Sequence, residues 1–342
     1  MKAVRLHHPG SAANYVYEDA PDPAAGPGEV LVRVRAVALN HLEAWAAKAP
    51  PSVRYDAPRI LGADVAGVVE AAGPGVTSVA TGAEVLLHPG VSCGVCERCL
   101  NGEDNLCGQY RLLGQGRDGG MAELVTAPAA NVVPKPANLS FEEAASIPLV
   151  FTTALHMILT RARLRYGETV LVNAAGSGVG VAAIQIAKLH GARVIASAGS
   201  DDKLAKAREL GASDCINYTT HDLAEEARRL TENRGVDMVV ESVGAEVMEK
   251  SIRALARNGR VVTCGATAGN AATFNISRFF LSQQAIYGSF MGTKAELLRY
   301  LPCFADGRLR PVVDAVFPLH EAARAVERLL RREQFGKIVL TP

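Results

Sequence analysis

Residues 168–199 read ETVLVNAAGSGVGVAAIQIAKLHGARVIASAG, and the character of the chain changes three times within them. The run 169–175 is apolar and continuous, as a strand buried on both faces of a parallel sheet must be. Gly176, Gly178 and Gly180 then allow a tight turn. A helix is expected to start near Val179, with Val181, Ile184 and Leu189 toward the sheet, and a second strand, ARVIASA, follows. In this order the unpaired N–H groups and positive end of the helix point at the turn, a site suited to a pyrophosphate. Ala175, Gly176, Ser177, Gly178, Val179 and Gly180 are therefore candidate cofactor-binding residues. A glycine-rich turn alone carries little weight; between a strand and a helix it carries more. Further strands are expected at 214–218, 236–242, 259–265 and 285–290, with helices separating the first four. The result is a doubly wound parallel sheet, an α/β fold. A fold of this kind binding some other ligand is the alternative.

The end of the second strand bears on the choice of dinucleotide. NAD-binding folds usually place Asp or Glu there, to hold the ribose 2′-hydroxyl. This chain has Ala198, Gly199 and Ser200, with Lys203 close behind and Tyr218 ending the third strand. A hydroxyl, a cation and an aromatic ring, with no carboxylate to repel a 2′-phosphate, favour NADP(H). Asp201 and Asp202 keep NAD(H) open.

The first half is rich in strands. EVLVRVRAVAL alternates, with Val30, Val32, Val34 and Ala36 on one face. Short strands and Gly/Pro turns continue through 64–88, which suggests a small antiparallel barrel. At 140–162 the period becomes helical, and Ser140 with Glu143 forms a capping-box pattern. The chain closes with a helix, HEAARAVERLLRR, and a strand, FGKIVL, expected to return to the first domain.

In CGVCERCLNGEDNLC, 93–107, four cysteines are separated by two, two and seven residues. Thiolates at this density select zinc or iron–sulfur, and the spacing does not fit the common ferredoxin runs. Cys93, Cys96, Cys99 and Cys107 would close a tetrahedral zinc site, leaving no position for substrate. The metal is therefore expected to be structural, one ion per subunit. The chain has 342 residues, 49% hydrophobic and 21% charged, with a net charge of +1, so no bulk field recruits nucleic acid or anionic membrane. No signal-peptide pattern or 18-residue apolar run is present. Cys215, Cys264 and Cys303 are scattered, as in a reducing cytoplasm.

The cysteine loop, GEVLVRV, LGADVAGVVE, AAGSGVG and FGKIVL together resemble the medium-chain dehydrogenase/reductase superfamily of zinc alcohol dehydrogenases and quinone oxidoreductases. The resemblance runs nearly end to end. It implies a GroES-like catalytic domain over 1–149 and 291–342 and a Rossmann domain over 150–290. It also implies that the cysteine loop holds a structural zinc. The family's alcohol dehydrogenases bind a second, catalytic zinc, and the matching positions here read Asn40, Ala63 and Leu149, with Asp64 at the acidic neighbour. An amide, a methyl and an isobutyl group do not make a zinc site. This departure points toward the zinc-independent quinone and enoyl reductase branch.

Without a Lewis acid, alkoxide formation is poorly supported. Hydride addition to an enone or quinone is easier, because the substrate's own conjugated oxygen spreads the developing charge. The expectation is an NADPH-dependent reductase of quinones or α,β-unsaturated carbonyls. An alcohol or aldehyde dehydrogenase, or an NADPH-binding module with little turnover, are the alternatives. The resemblance gives Asn40 a place in the catalytic pocket, with a loop-capping amide as the alternative. Asp64 shares that pocket or orients a helix or loop, and Tyr55 lies on a loop that could close over the substrate. It sets Val243, Gly265 and Ala266, with Gly244 and Thr267, where the nicotinamide binds. Phe290 and Met291 would line the pocket, and Lys337 would reach the cofactor phosphates or be a surface charge. His41 and Glu43 flank Asn40 and would face outward; His156 reads as a packed core residue and Arg332 as a surface charge. The last Rossmann strand of such proteins often pairs across a dimer, so a homodimer or homotetramer is expected.

Overall fold

The alternating stretch becomes a strand, Glu29–Ala38, in which Val30, Val32, Val34 and Ala36 are at most 3% exposed. The computed structural model describes residues 1–49 and 58–342. Two units result, Met1–Leu149 with Thr293–Pro342, and Val150–Gly292.

In the first unit the chain order begins β1 (Lys2–Leu6), β2 (Tyr15–Asp19), β3 (Glu29–Ala38), α1 (His41–Lys48), β4 (Arg59–Ile60), β5 (Asp64–Ala72) and β6 (Glu84–Leu87). It continues with β7 (Gly90–Val91), β8 (Arg111–Leu112), β9 (Leu124–Pro128) and β10 (Val132–Pro134). β1, β2 and β4 make a small sheet, and β3 pairs antiparallel with both β5 and β9 at the centre of a larger one. Ser140 caps the next short helix, Phe141–Ala145, through Glu143 N–H, and Glu143 reaches back to Ser140 N–H, as the capping-box pattern requires.

The second unit is a six-stranded parallel sheet of β11 (Thr169–Val172), β12 (Arg193–Ala198), β13 (Asp214–Asn217), β14 (Val236–Glu241), β15 (Leu255–Thr263) and β16 (Ala285–Gly288). The spatial order is β13-β12-β11-β14-β15-β16, the doubly wound dinucleotide-binding order. Helix α2 (Gly178–Leu189) follows β11 and α3 (Asp201–Glu209) follows β12. β11 stops at Val172, not at residue 175, because Ala174 takes a left-handed φ of 49° and opens the turn. All four residues of β11 are buried, as a central parallel strand requires.

The chain then rejoins the first unit through α4 (Lys294–Ala305), β17 (Val313–Pro318), α5 (Ala322–Leu330) and β18 (Lys337–Thr341). β18 pairs antiparallel with the end of β3, Val339 opposite Ala38, which sets Lys337 beside the start of α1. Among the described residues no helix is long and apolar enough to cross a membrane.

Candidate functional site

Three elements of the first unit deliver polar side chains to one buried point. Asn40 caps α1, Asp64 opens β5 and Lys337 opens β18; they are 6%, 0% and 4% exposed. Lys337 Nζ donates to Asn40 Oδ1 at 2.6 Å and to Asp64 Oδ2 at 2.9 Å. Asn40 Nδ2 donates to Asp64 Oδ2 at 3.0 Å and to Ala38 O at 3.4 Å. Asp64 Oδ1 accepts from Leu149 N–H at 2.7 Å. Such a group is stable when buried only because each charge has its partner and each carboxylate oxygen a donor.

These contacts fix the surroundings of Lys337, Asn40 and Glu43. The Lys337 ammonium is engaged inside the first unit. Asn40 has both ends of its amide in protein hydrogen bonds. Glu43 does not face outward: it is 2% exposed, and its Oε2 accepts from Asn40 N–H at 2.6 Å. Burial pushes its carboxyl up to about 7, against the Asn40 N–H and the Lys337 charge. Burial, with Arg332, Lys337 and Lys48 nearby, holds His41 down at about 4. His156 is buried, as expected. Tyr55 lies outside the described residues. The missed signal was in plain view: Asn40-x-x-Glu43 matches the same capping box read at Ser140-x-x-Glu143.

The second unit carries the glycine-rich turn between β11 and α2. Ser177 caps α2, its Oγ accepting from Gly180 N–H at 3.0 Å. A Cβ on Gly180 would come within 2.4 Å of Ala174 O, so only glycine lets the helix start this close to the strand. Gly176, Gly178 and Val179 complete the turn, and Ala175 N–H donates to Ser197 O at 2.9 Å. Past β12, the Tyr218 ring lies against Gly199, where a Cβ would come within 2.8 Å of its hydroxyl. Asp201, one of the two carboxylates that kept NAD(H) open, accepts from Asn217 Nδ2 at 2.8 Å. Ser200 and Lys203 occupy the N-cap and first turn of α3. Val243 follows β14, while Gly265 and Ala266 follow β15, at the carboxyl ends of the strands where open α/β sheets bind ligands. Phe290 is 60% exposed; Met291 is 5% exposed, its Sδ accepting from Thr153 Oγ1 at 3.8 Å.

The sulfur atoms of Cys93, Cys96, Cys99 and Cys107 all lie within 4.8 Å of one another. Cys93 to Cys99 is 3.9 Å and Cys96 to Cys99 is 3.6 Å. A tetrahedral zinc with bonds of about 2.3 Å needs sulfur–sulfur edges of about 3.8 Å, so the four residues fit the ion. Main-chain N–H groups of Cys96 and Gln109 point at Cys93 Sγ and Cys107 Sγ, both at 3.4 Å. Such donors stabilise thiolate and orient it; those of Val95 and Cys96 help hold Cys93 down at about 6.

Comparison with known proteins agrees with these two units. The alcohol dehydrogenase GroES-like domain pattern matches residues 26–137, and the zinc-binding dehydrogenase pattern matches 178–306. The chain belongs to the medium-chain dehydrogenase/reductase superfamily and is an oxidoreductase of its NAD(P)H-dependent type. It is 30% identical to the acryloyl-coenzyme A reductase of Metallosphaera sedula over all of both chains. It is 34% identical to an alcohol dehydrogenase of Geobacillus stearothermophilus over 93% of each. A crystal structure of an NAD-dependent alcohol dehydrogenase superposes with a TM-score of 0.94 at 48% identity, covering all of both chains.

Proposed function

We propose that this protein reduces α,β-unsaturated carbonyls or quinones with NADPH, without a catalytic metal. The observation that carries the reading is the buried Asn40–Asp64–Lys337 cluster. At the position where the resembling alcohol dehydrogenases bind a metal through cysteine, an amide is tied to an ammonium. A dication set there would meet that positive charge, a carboxylate already neutralised by it, and the apolar side chains of Ala63 and Leu149. Similarity to a reductase whose named substrate is an unsaturated acyl thioester supports the same direction.

In this reading Ala175 to Gly180 present the helix end to the pyrophosphate, and Gly199, Ser200, Lys203 and Tyr218 receive the adenosine ribose. The bound reduced nicotinamide supplies the hydride. Val243, Gly265, Ala266, Phe290 and Met291 set the face against which it lies. Lys337, Asp64 and Asn40 hold α1, β5 and β18 together, keep water out, and leave charge development to the substrate's conjugated oxygen. The four cysteines hold one structural zinc. The protein acts in the cytoplasm as a homodimer or homotetramer, joined through the outer edge of β16. Steady-state NADPH and NADH oxidation with an enone and quinone panel, against alcohol oxidation, tests the chemistry. Reduction of an activated alkene or quinone is expected; turnover of simple alcohols alone would overturn the proposal. The similarity to an NAD-dependent alcohol dehydrogenase favours a second reading, NAD-linked alcohol oxidation, and the same panel separates the two.

A further inference from the structure

Glu241 is a buried carboxylate of the second unit, apart from the Asn40–Asp64–Lys337 cluster. It ends β14 and is 0% exposed. Its Oε1 accepts from Val243 N–H at 2.6 Å and from Gly244 N–H at 3.0 Å, and its Oε2 lies 3.2 Å from the Thr263 hydroxyl of β15. Among the described residues no cation forms an ion pair with it. Burial pushes its carboxyl above the ordinary range, and the three donors oppose that shift. An unpaired charge in the interior is costly, and its retention asks for a partner.

The carboxylate sits beneath a doubled turn. Ala268 N–H donates to Val243 O at 2.7 Å, Thr267 Oγ1 lies 3.4 Å from Ser242 O, and Gly244 bridges to Gly269. Gly244 has a φ of +79°, and a Cβ there would come within 2.3 Å of Gly269 O. The turns after β14 and β15 are thus zipped to each other and pinned from below by one side chain. In a sheet of this order the dinucleotide crosses the carboxyl ends where the strand order reverses, between β11 and β14. Its phosphate turn and adenosine ribose lie on the β11–β12 side, so the redox-active ring falls on the β14–β15 side. That ring is neutral when reduced and carries a positive charge after it has given up hydride.

We propose that Glu241 is a positioning residue that favours the oxidised, cationic form of the bound dinucleotide. Its hydrogen bonds fix the platform under the ring, and its buried negative charge has the ring's positive charge as its electrostatic partner. The inference rests on the dehydrogenase reading of the site and not on the choice of substrate. Hydride donation from a bound reduced cofactor is made easier by the same field.

Two conservative variants of the full chain separate position from charge. In Glu241→Gln the amide oxygen still accepts from Val243 and Gly244, and the amide nitrogen meets the Thr263 hydroxyl. Glu241→Asp keeps the charge but is one methylene short of the turn. Dissociation constants for the oxidised and the reduced dinucleotide are measured by calorimetry at mildly alkaline pH, with thermal unfolding as the check on folding. For Glu241→Gln we expect the oxidised form to weaken relative to the reduced form by roughly tenfold, the size of one buried charge acting across several ångströms. For Glu241→Asp we expect both forms to weaken together, with their ratio kept. An unchanged ratio in Glu241→Gln, or its failure to fold, would overturn the inference. Failure of the unaltered chain to bind either form would overturn the dehydrogenase reading itself, and the inference with it.

Discussion

Asp64 is a residue on which the polar interior of the first unit converges, because it touches the Asn40 cap of α1, Lys337 of β18 and Leu149 N–H. Removing its cation leaves a carboxylate buried and unpaired. Lys337→Met should therefore destabilise the protein by about 3 kcal/mol, read from urea unfolding, since breaking one side of a buried pair costs far more than an exposed one. A cost near zero would mean that water reaches the cluster. Glu43 makes a prediction of opposite character. Its folded value, about 7, lies above the ordinary 4.5, so between these values the folded chain holds a proton that the unfolded chain has released. Its contribution is complete below pH 4.5 and is lost as the pH rises toward 7. Relative to Glu43→Gln, the unaltered protein should lose up to about 3 kcal/mol across that window, since each tenfold change in proton affinity is worth about 1.4 kcal/mol. His41, held down at about 4, moves stability the other way over its own range, so the difference between the two proteins is the quantity to read. Parallel curves for the two would refute the assignment.

At the scale of elements, the turn between β11 and α2 and the cysteine loop make separable predictions. Gly180→Ala drives a methyl into Ala174 O and should abolish dinucleotide binding measured by calorimetry, while the cysteine loop keeps its metal. Cys99→Ser should remove the metal and lower the Tm of the first unit, yet leave dinucleotide affinity within about twofold, since the lost ligand acts on loop order and not on the phosphate turn. These two elements were legible in the sequence for the same reason: each is a local pattern, glycines at fixed offsets or cysteines at fixed spacing, whose chemistry follows from neighbours in the chain. The alternation of β3 and the capping box at Ser140 were legible on the same ground. The Lys337 contact was not, because its partners lie 297 and 273 residues away and come together only through the pairing of β18 with β3. Glu43 lay between the two cases, carrying a local cap signal whose burial depends on the packing of α1. β11 ends three residues before the apolar run does, because an apolar run does not announce a left-handed alanine.

For the whole molecule, the outer edge of β16 has no strand beside it among the described residues, and Ile276, Phe280, Leu281 and Ile286 near it are 38% to 71% exposed. An apolar sheet edge of this kind is a pairing surface. Ile286→Lys should shift the protein toward monomer by light scattering; an unaltered mass would place the contact elsewhere. The central claim is that the metal of this protein lies in the cysteine loop and nowhere near the chemistry. It is tested most directly by counting zinc per chain, by mass spectrometry on the purified protein and on Cys99→Ser, with turnover followed on the same samples. We expect one zinc in the unaltered protein, none in Cys99→Ser, and reduction of an enone or quinone by NADPH in both wherever the variant remains folded. Two zincs per chain, or a zinc retained in Cys99→Ser alongside alcohol oxidation, would contradict it.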